Sequence, residues 1–134
     1  MRASVYYENG SPDVFRYEDV PDPQITDDEI LIRVAAIGIQ GGDVLNRQGG
    51  DLTSSPHIVG YQASGIVEAV GASVTSFSIG DRVVSLGMNG SHAERRAAHH
   101  SRHCDEYFNR ADEPRHRRFE RQYVFQQRQR CLQD

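Results

Sequence analysis

The side chains in this sequence best suited to metal ligation lie late in the chain. His99 and His103, and likewise His100 and Cys104, are spaced i, i+4, which on a helix would let each pair grip one soft divalent metal. Without a rigid scaffold around them, an adventitious site is the plainer reading. Further on, Arg115-His116-Arg117-Arg118-Phe119-Glu120-Arg121-Gln122-Tyr123 interleaves bases with aromatic rings, a pattern that suits single-stranded nucleic acid. Interspersed acids and a formal net charge of −4 weigh against it. Phosphate chemistry has no cradle: Gly38, Gly41 and Gly42, and then Gly87 and Gly90, have the wrong spacing for a G-x-G-x-x-G loop after a strand. Two cysteines, Cys104 and Cys131, make no disulfide framework, and a reducing cytoplasm is the default compartment.

The elements that must position any such chemistry occupy a short chain. Its 134 residues suit one domain with an appended segment, not two full enzyme domains. The longest apolar run, residues 34–39, is far short of the ~20 residues a membrane span needs, and the opening residues carry no signal-peptide core. Composition breaks near residue 94. Residues 1–94 hold five Arg against thirteen acids, and residues 95–134 hold ten Arg against six. All twelve Gly precede residue 91, although average usage of about 7% predicts roughly three in the last forty positions.

Within residues 1–94, the stretch 29–39 starts by alternating and becomes continuously apolar, a strand with a buried face. Residues 3–7 and 14–20 read as a hairpin around Asn9-Gly10, with Pro21-Asp22-Pro23 stopping the second strand. Residues 63–70 and 81–86 read as further strands, and only residues 42–48 look helical, closed by Gly49-Gly50. Gly60, Gly65 and Gly71 suit close backbone approach or positive φ. Gly80-Asp81 suits a tight turn whose carboxylate bonds nearby amides. Many short strands separated by turn residues indicate a small β-barrel or sandwich.

The run Pro56-His57-Ile58-Val59-Gly60-Tyr61-Gln62-Ala63-Ser64-Gly65-Ile66-Val67-Glu68-Ala69-Val70-Gly71 resembles the medium-chain dehydrogenase/reductase superfamily. So do Gly80-Asp81-Arg82-Val83-Val84 and Gly90-Ser91-His92-Ala93-Glu94. Within the superfamily the chain is most similar to the zinc-independent quinone oxidoreductases, the zeta-crystallin-like group. The resemblance covers residues 1–94. It implies a mainly β, GroES-like barrel, incomplete here, with one short helix, followed by a tail that is disordered or weakly helical. It also implies hydride transfer from NADPH to a quinone or activated alkene.

Zinc-dependent relatives carry a Cys after the strand matching residues 30–39 and a His-Glu pair after the Gly matching Gly60. Here Gln40 or Gly41, and Tyr61-Gln62, stand in those places, so no zinc is expected. The resemblance puts Gln40 at the nicotinamide or substrate edge and Tyr61 along the cleft. Asp43 and Arg47 are expected to be a structural helix-start and surface pair, with Gly60, Gly65, Gly71, Gly80 and Asp81 shaping the barrel. Two departures stand out: an amide moved by one methylene at Gln40, and Leu45 in place of a frequent Tyr.

The NADPH-binding lobe of the family has no counterpart here. The chain is therefore expected to be an N-terminal portion, cut off before its Rossmann domain, that neither binds NADPH tightly nor turns over alone. Residues 95–134 are expected to be an unrelated Arg- and His-rich tail from a shifted reading frame. Ordering the tail costs roughly 40–80 kcal/mol of backbone entropy, and burying its few large apolar side chains returns at most about 10–20 kcal/mol. Only a transient helix over residues 115–130 is expected. The alternative is a non-catalytic barrel whose basic tail binds protein or nucleic acid.

Overall fold

The computed structural model describes residues 1–100. The His–Cys pairings that need residues 103 and 104, the base–aromatic stretch 115–123 and the expected helix over 115–130 lie outside the described residues.

Seven strands and one helix make up the fold. They are β1 (Arg2–Tyr6), β2 (Arg16–Asp19), β3 (Glu29–Gly38), α1 (Gly41–Gly49), β4 (His57–Ile58), β5 (Gln62–Val70), β6 (Arg82–Leu86) and β7 (Arg95–His99). They form two antiparallel sheets, of order β2-β1-β4 and β6-β5-β3-β7, that do not close into a barrel among the described residues. A bridge from Ala3 to Ala93 joins them.

Period-two alternation places the core. Ile30 and Ile32 of β3, Val67 of β5, Val83 of β6 and Ala98 of β7 all point inward, where Val74 completes the cluster and Val70 and Phe77 pack against it. On the outer face, Arg33 of β3 lies directly across from Arg95 of β7. Glu68 of β5 relieves that like-charge pairing by bonding both, at 3.1 Å and 3.0 Å.

That placement moves one sequence-based boundary. The composition assigns Arg95 to the tail, yet the sheet continues through His99. Alternation is present but disguised, because one inward position holds an arginine. Arg96 is buried and donates from Nη1 to the Tyr61 carbonyl (3.1 Å) and to Ser85 Oγ (3.2 Å).

The hairpin also differs in its turn. β1 and β2 do pair, with Val5 opposite Arg16, but a short 3-10 turn (Pro12–Val14) lies in the connection and Gly10 keeps a negative φ. Asn9-Gly10 instead docks on the end of α1. The Gly10 amide donates to the Arg47 carbonyl at 3.0 Å, and the Asn9 side chain donates to the Gly50 carbonyl at 2.8 Å.

Candidate functional site

The cleft is built where β3 hands over to α1. β3 ends at Gly38, and Gln40 takes an extended conformation as the N-cap of α1. Asp43, three residues later, folds its carboxylate back: Oδ2 accepts from the Gln40 amide at 2.8 Å. This is half of a capping box, which satisfies one of the amide donors left free at a helix start. The other oxygen reaches across the cleft, where Oδ1 accepts from the Tyr61 amide at 3.2 Å.

Tyr61 is held at its other end too. Its carbonyl accepts from the Gly87 amide at 2.8 Å and from Arg96 at 3.1 Å. Its ring lies over the first turn of α1, where a Cβ on Gly42 would come within 3.0 Å of it. Just before it, Gly60 adopts φ +121°, and a Cβ there would sit 1.9 Å from Ser91 Oγ. Only glycine meets both demands at that position. Gly65 crosses β3 so closely that a Cβ would lie 2.0 Å from the Arg33 carbonyl oxygen. Gly71 packs on the backbone of Thr26 and Asp27, while Gly80 leads into Asp81, whose Oδ2 accepts from the Ser78 amide at 2.9 Å.

The structure therefore brings Gln40 and Tyr61 together through one carboxylate. It corrects the expected surface pair: Asp43 and Arg47 are both buried. Arg47 donates from Nη1 to the Gly10 carbonyl. Burial follows because both ends of the α1 surface carry backbone groups that need partners, which charged side chains supply.

Sequence reasoning missed several exposed apolar side chains. Leu45 and Met88 are 69% and 65% exposed, and Leu52 is also open. Leu45 stands on α1, and the loops carrying Leu52 and Met88 are tied down, since Gly87 bonds Tyr61 and the Asn89 side chain donates to Thr53 Oγ1 at 2.8 Å. No periodicity marks Leu52 and Met88, so only their apolar type on loop segments signalled them.

A second feature adjoins the same helix. A cavity of about 530 Å³ opens between the two sheets, walled by Phe15, Tyr17, Val34, Ile37 and His92, with Asp43 and Arg47 of α1 also on its lining. Gln40 and Tyr61 do not line it. Beside it are four side chains with buried polar atoms that lack partners among the described residues: Tyr6, His57, Ser91 and His92. Burial holds both His57 and His92 below the ordinary histidine pKa, with Asp43 opposing the shift at His92. Burial raises the Tyr6 phenol, an effect opposed by the positive charge of Arg47.

The side chains at Gln40 and Tyr61 are not zinc donors. An amide and a phenol at positions 40 and 61 are not the thiolate, imidazole or carboxylate ligands zinc takes. Among the described residues no three His, Cys, Asp or Glu side chains are grouped to hold a metal ion.

Comparison with known proteins places this architecture. The alcohol dehydrogenase GroES-like domain model matches residues 26–123. A sorbitol dehydrogenase of Bombyx mori is 40% identical over 79 residues, covering 56% of this chain and 22% of the relative. The quinone oxidoreductase of Escherichia coli, solved in complex with NADPH, superposes with TM-score 0.72 at 27% identity, over 77% of this chain and 32% of its own. A protein described as a putative zinc-dependent alcohol dehydrogenase, from Rhizobium etli, superposes with TM-score 0.69 at 30% identity, over 74% and 31%. The chain thus spans about a quarter of the curated relatives it matches and a third of the solved ones. With a family model covering most of its length and the same fold in these neighbours, the chain belongs to the alcohol dehydrogenase GroES-like domain family.

Proposed function

We propose that these residues form the acceptor-side part of a zinc-free, NADPH-dependent quinone-oxidoreductase-like enzyme, which passes hydride to a quinone or activated alkene. The observation that carries this reading is the pairing of Gln40 and Tyr61 by Asp43, with Leu45 and Met88 exposed on the adjoining segments and no grouped metal donors among the described residues. A quinone is planar, apolar over its faces and polar only at its carbonyl oxygens. The Tyr61 ring and the Leu45 and Met88 side chains suit the faces, and the Gln40 amide suits an oxygen. With no metal to polarise the acceptor, the protein's contribution is position and exclusion of water.

NADPH in this reading is the hydride source. The 134 residues contain no glycine-rich loop to take its pyrophosphate, so the nucleotide is held elsewhere, and these residues alone do not turn over. Residues 1–100 act as one unit through β7, and the segment after His100 stands apart in composition.

The test is a footprint. Titrating 1,4-naphthoquinone into the isotope-labelled chain should shift backbone signals at Gln40, Leu45, Tyr61 and Met88. Shifts confined to the Phe15–Tyr17–Ile37 cavity, or absent at millimolar quinone, would remove the assignment of the cleft.

A further inference from the structure

In this structure Asp43 does more than start a helix, and we propose that its single buried carboxylate sets the gap between the two sides of the cleft. The inference rests on the reading of the Gln40–Tyr61 cleft given above. Three observations carry it. First, Asp43 is buried, at 4% exposure, where it borders the cavity between the sheets. Second, its two oxygens go to different parts of the chain: Oδ2 to the Gln40 amide at the end of β3, and Oδ1 to the Tyr61 amide at the start of β5. A residue that only capped the helix would need the first bond and not the second. Third, Tyr61 has little freedom of its own, because Gly87 and Arg96 fix its carbonyl and its ring seats where Gly42 lacks a Cβ. Fixing its amide therefore fixes where the ring stands relative to Gln40.

Charge-assisted bonds from backbone amides to a buried carboxylate are short and strong. One rigid group spanning two separate segments holds their spacing in a way that two independent caps would not. Arg47, one turn later on α1, makes the contrast. Its guanidinium grips the Gly10 loop. Asp43 is thus a positioning residue for the acceptor, acting through Gln40 and Tyr61.

Amide hydrogen exchange on the 134-residue chain, followed residue by residue by NMR, tests this without turnover. Asp43→Ala removes both acceptor oxygens, and the Gln40 and Tyr61 amides should lose protection together by ten- to a hundredfold. Amides at the β3–β5 centre, such as Val67, should be unchanged. Asp43→Asn keeps one acceptor oxygen and turns a donor toward the other amide, so only one of the two should lose protection. If the alanine variant does not fold, this second variant decides. Arg47→Met should leave both amides protected. The proposal is overturned if the Tyr61 amide is unaffected by both Asp43 variants, which would leave a helix cap only. It is equally overturned if Gln40 and Tyr61 lose protection only in step with the whole core. Because exchange needs no quinone, the clamp stands or falls separately from the proposed reaction.

Discussion

Replacing Gly60 and Gly80 by alanine, one at a time, separates two costs that a positive φ usually confounds. Both residues lie in the region that L side chains rarely adopt, at φ +121° and +95°. The conformational penalty is about 1–3 kcal/mol at each, and the lost entropy of the unfolded chain returns about 0.4–1 kcal/mol. At Gly80 nothing lies within 4 Å of an added Cβ, so roughly 1–2 kcal/mol is the whole effect. At Gly60 the Cβ would meet Ser91 Oγ at 1.9 Å and His92 Cδ2 at 2.6 Å. Ser91 is completely buried. Overpacking of that kind adds about 1–3 kcal/mol, for a total of about 2–5 kcal/mol, a large part of the ~5–15 kcal/mol that stabilises a typical domain. Guanidinium unfolding of the two variants, read by far-ultraviolet circular dichroism, should place Gly60→Ala well below Gly80→Ala in midpoint with unchanged slope. Equal midpoints would refute the claim that the Gly60 site is closed by the Ser91–His92 turn.

Other expectations follow from the same coordinates. Burial lowers the His57 and His92 pKa values in the fold, so the unfolded chain takes up protons first. Stability should therefore be level above about pH 6.5 and fall as pH drops below it. His57→Phe should flatten part of that slope in melting curves from pH 8 to 5 and leave the pH 7 melting temperature no lower, since both ring nitrogens lack partners among the described residues; an unchanged slope would contradict this. Arg47→Met strips the Gly10 carbonyl of its guanidinium donor and should cost about 2–4 kcal/mol in denaturant unfolding. Gly65→Ala puts a methyl 2.0 Å from the Arg33 carbonyl oxygen in the centre of the β3–β5 ladder; it should cost ~3 kcal/mol or more and show up as poor soluble yield. Dialysis against a strong chelator should leave the melting temperature unchanged.

Much of the fold is readable in the chain because its strands alternate. Ile30 and Ile32, then Val67, then Val83 announce an inward face at period two, and the glycines at 60, 65 and 71 mark where backbones come together. β7 escapes notice for the opposite reason: Arg96 holds an inward position, where it bonds the Tyr61 carbonyl and Ser85, which lie far away in sequence. Asn9-Gly10 misleads because tertiary contact with α1 overrides a strong local turn preference. At the site, residue types point to Gln40 and Tyr61 only through family resemblance. Their connection through Asp43 depends on a contact between positions eighteen apart, which no local pattern encodes. Burial of Asp43 and Arg47 is hidden likewise, since i, i+4 opposite charges on a short helix read as solvated.

The central claim is that residues 1–100 shape the acceptor side of a quinone-reducing cleft whose nucleotide is held by another part of the protein. Substituting them for the matching portion of Escherichia coli quinone oxidoreductase, and following NADPH oxidation with 1,4-naphthoquinone, tests it most directly. The chimera should reduce the quinone and lose most of that rate with Tyr61→Ala, while the 134-residue chain alone stays at background. A folded, NADPH-binding chimera that leaves quinone untouched, or steady NADPH consumption by the chain alone, would contradict the account.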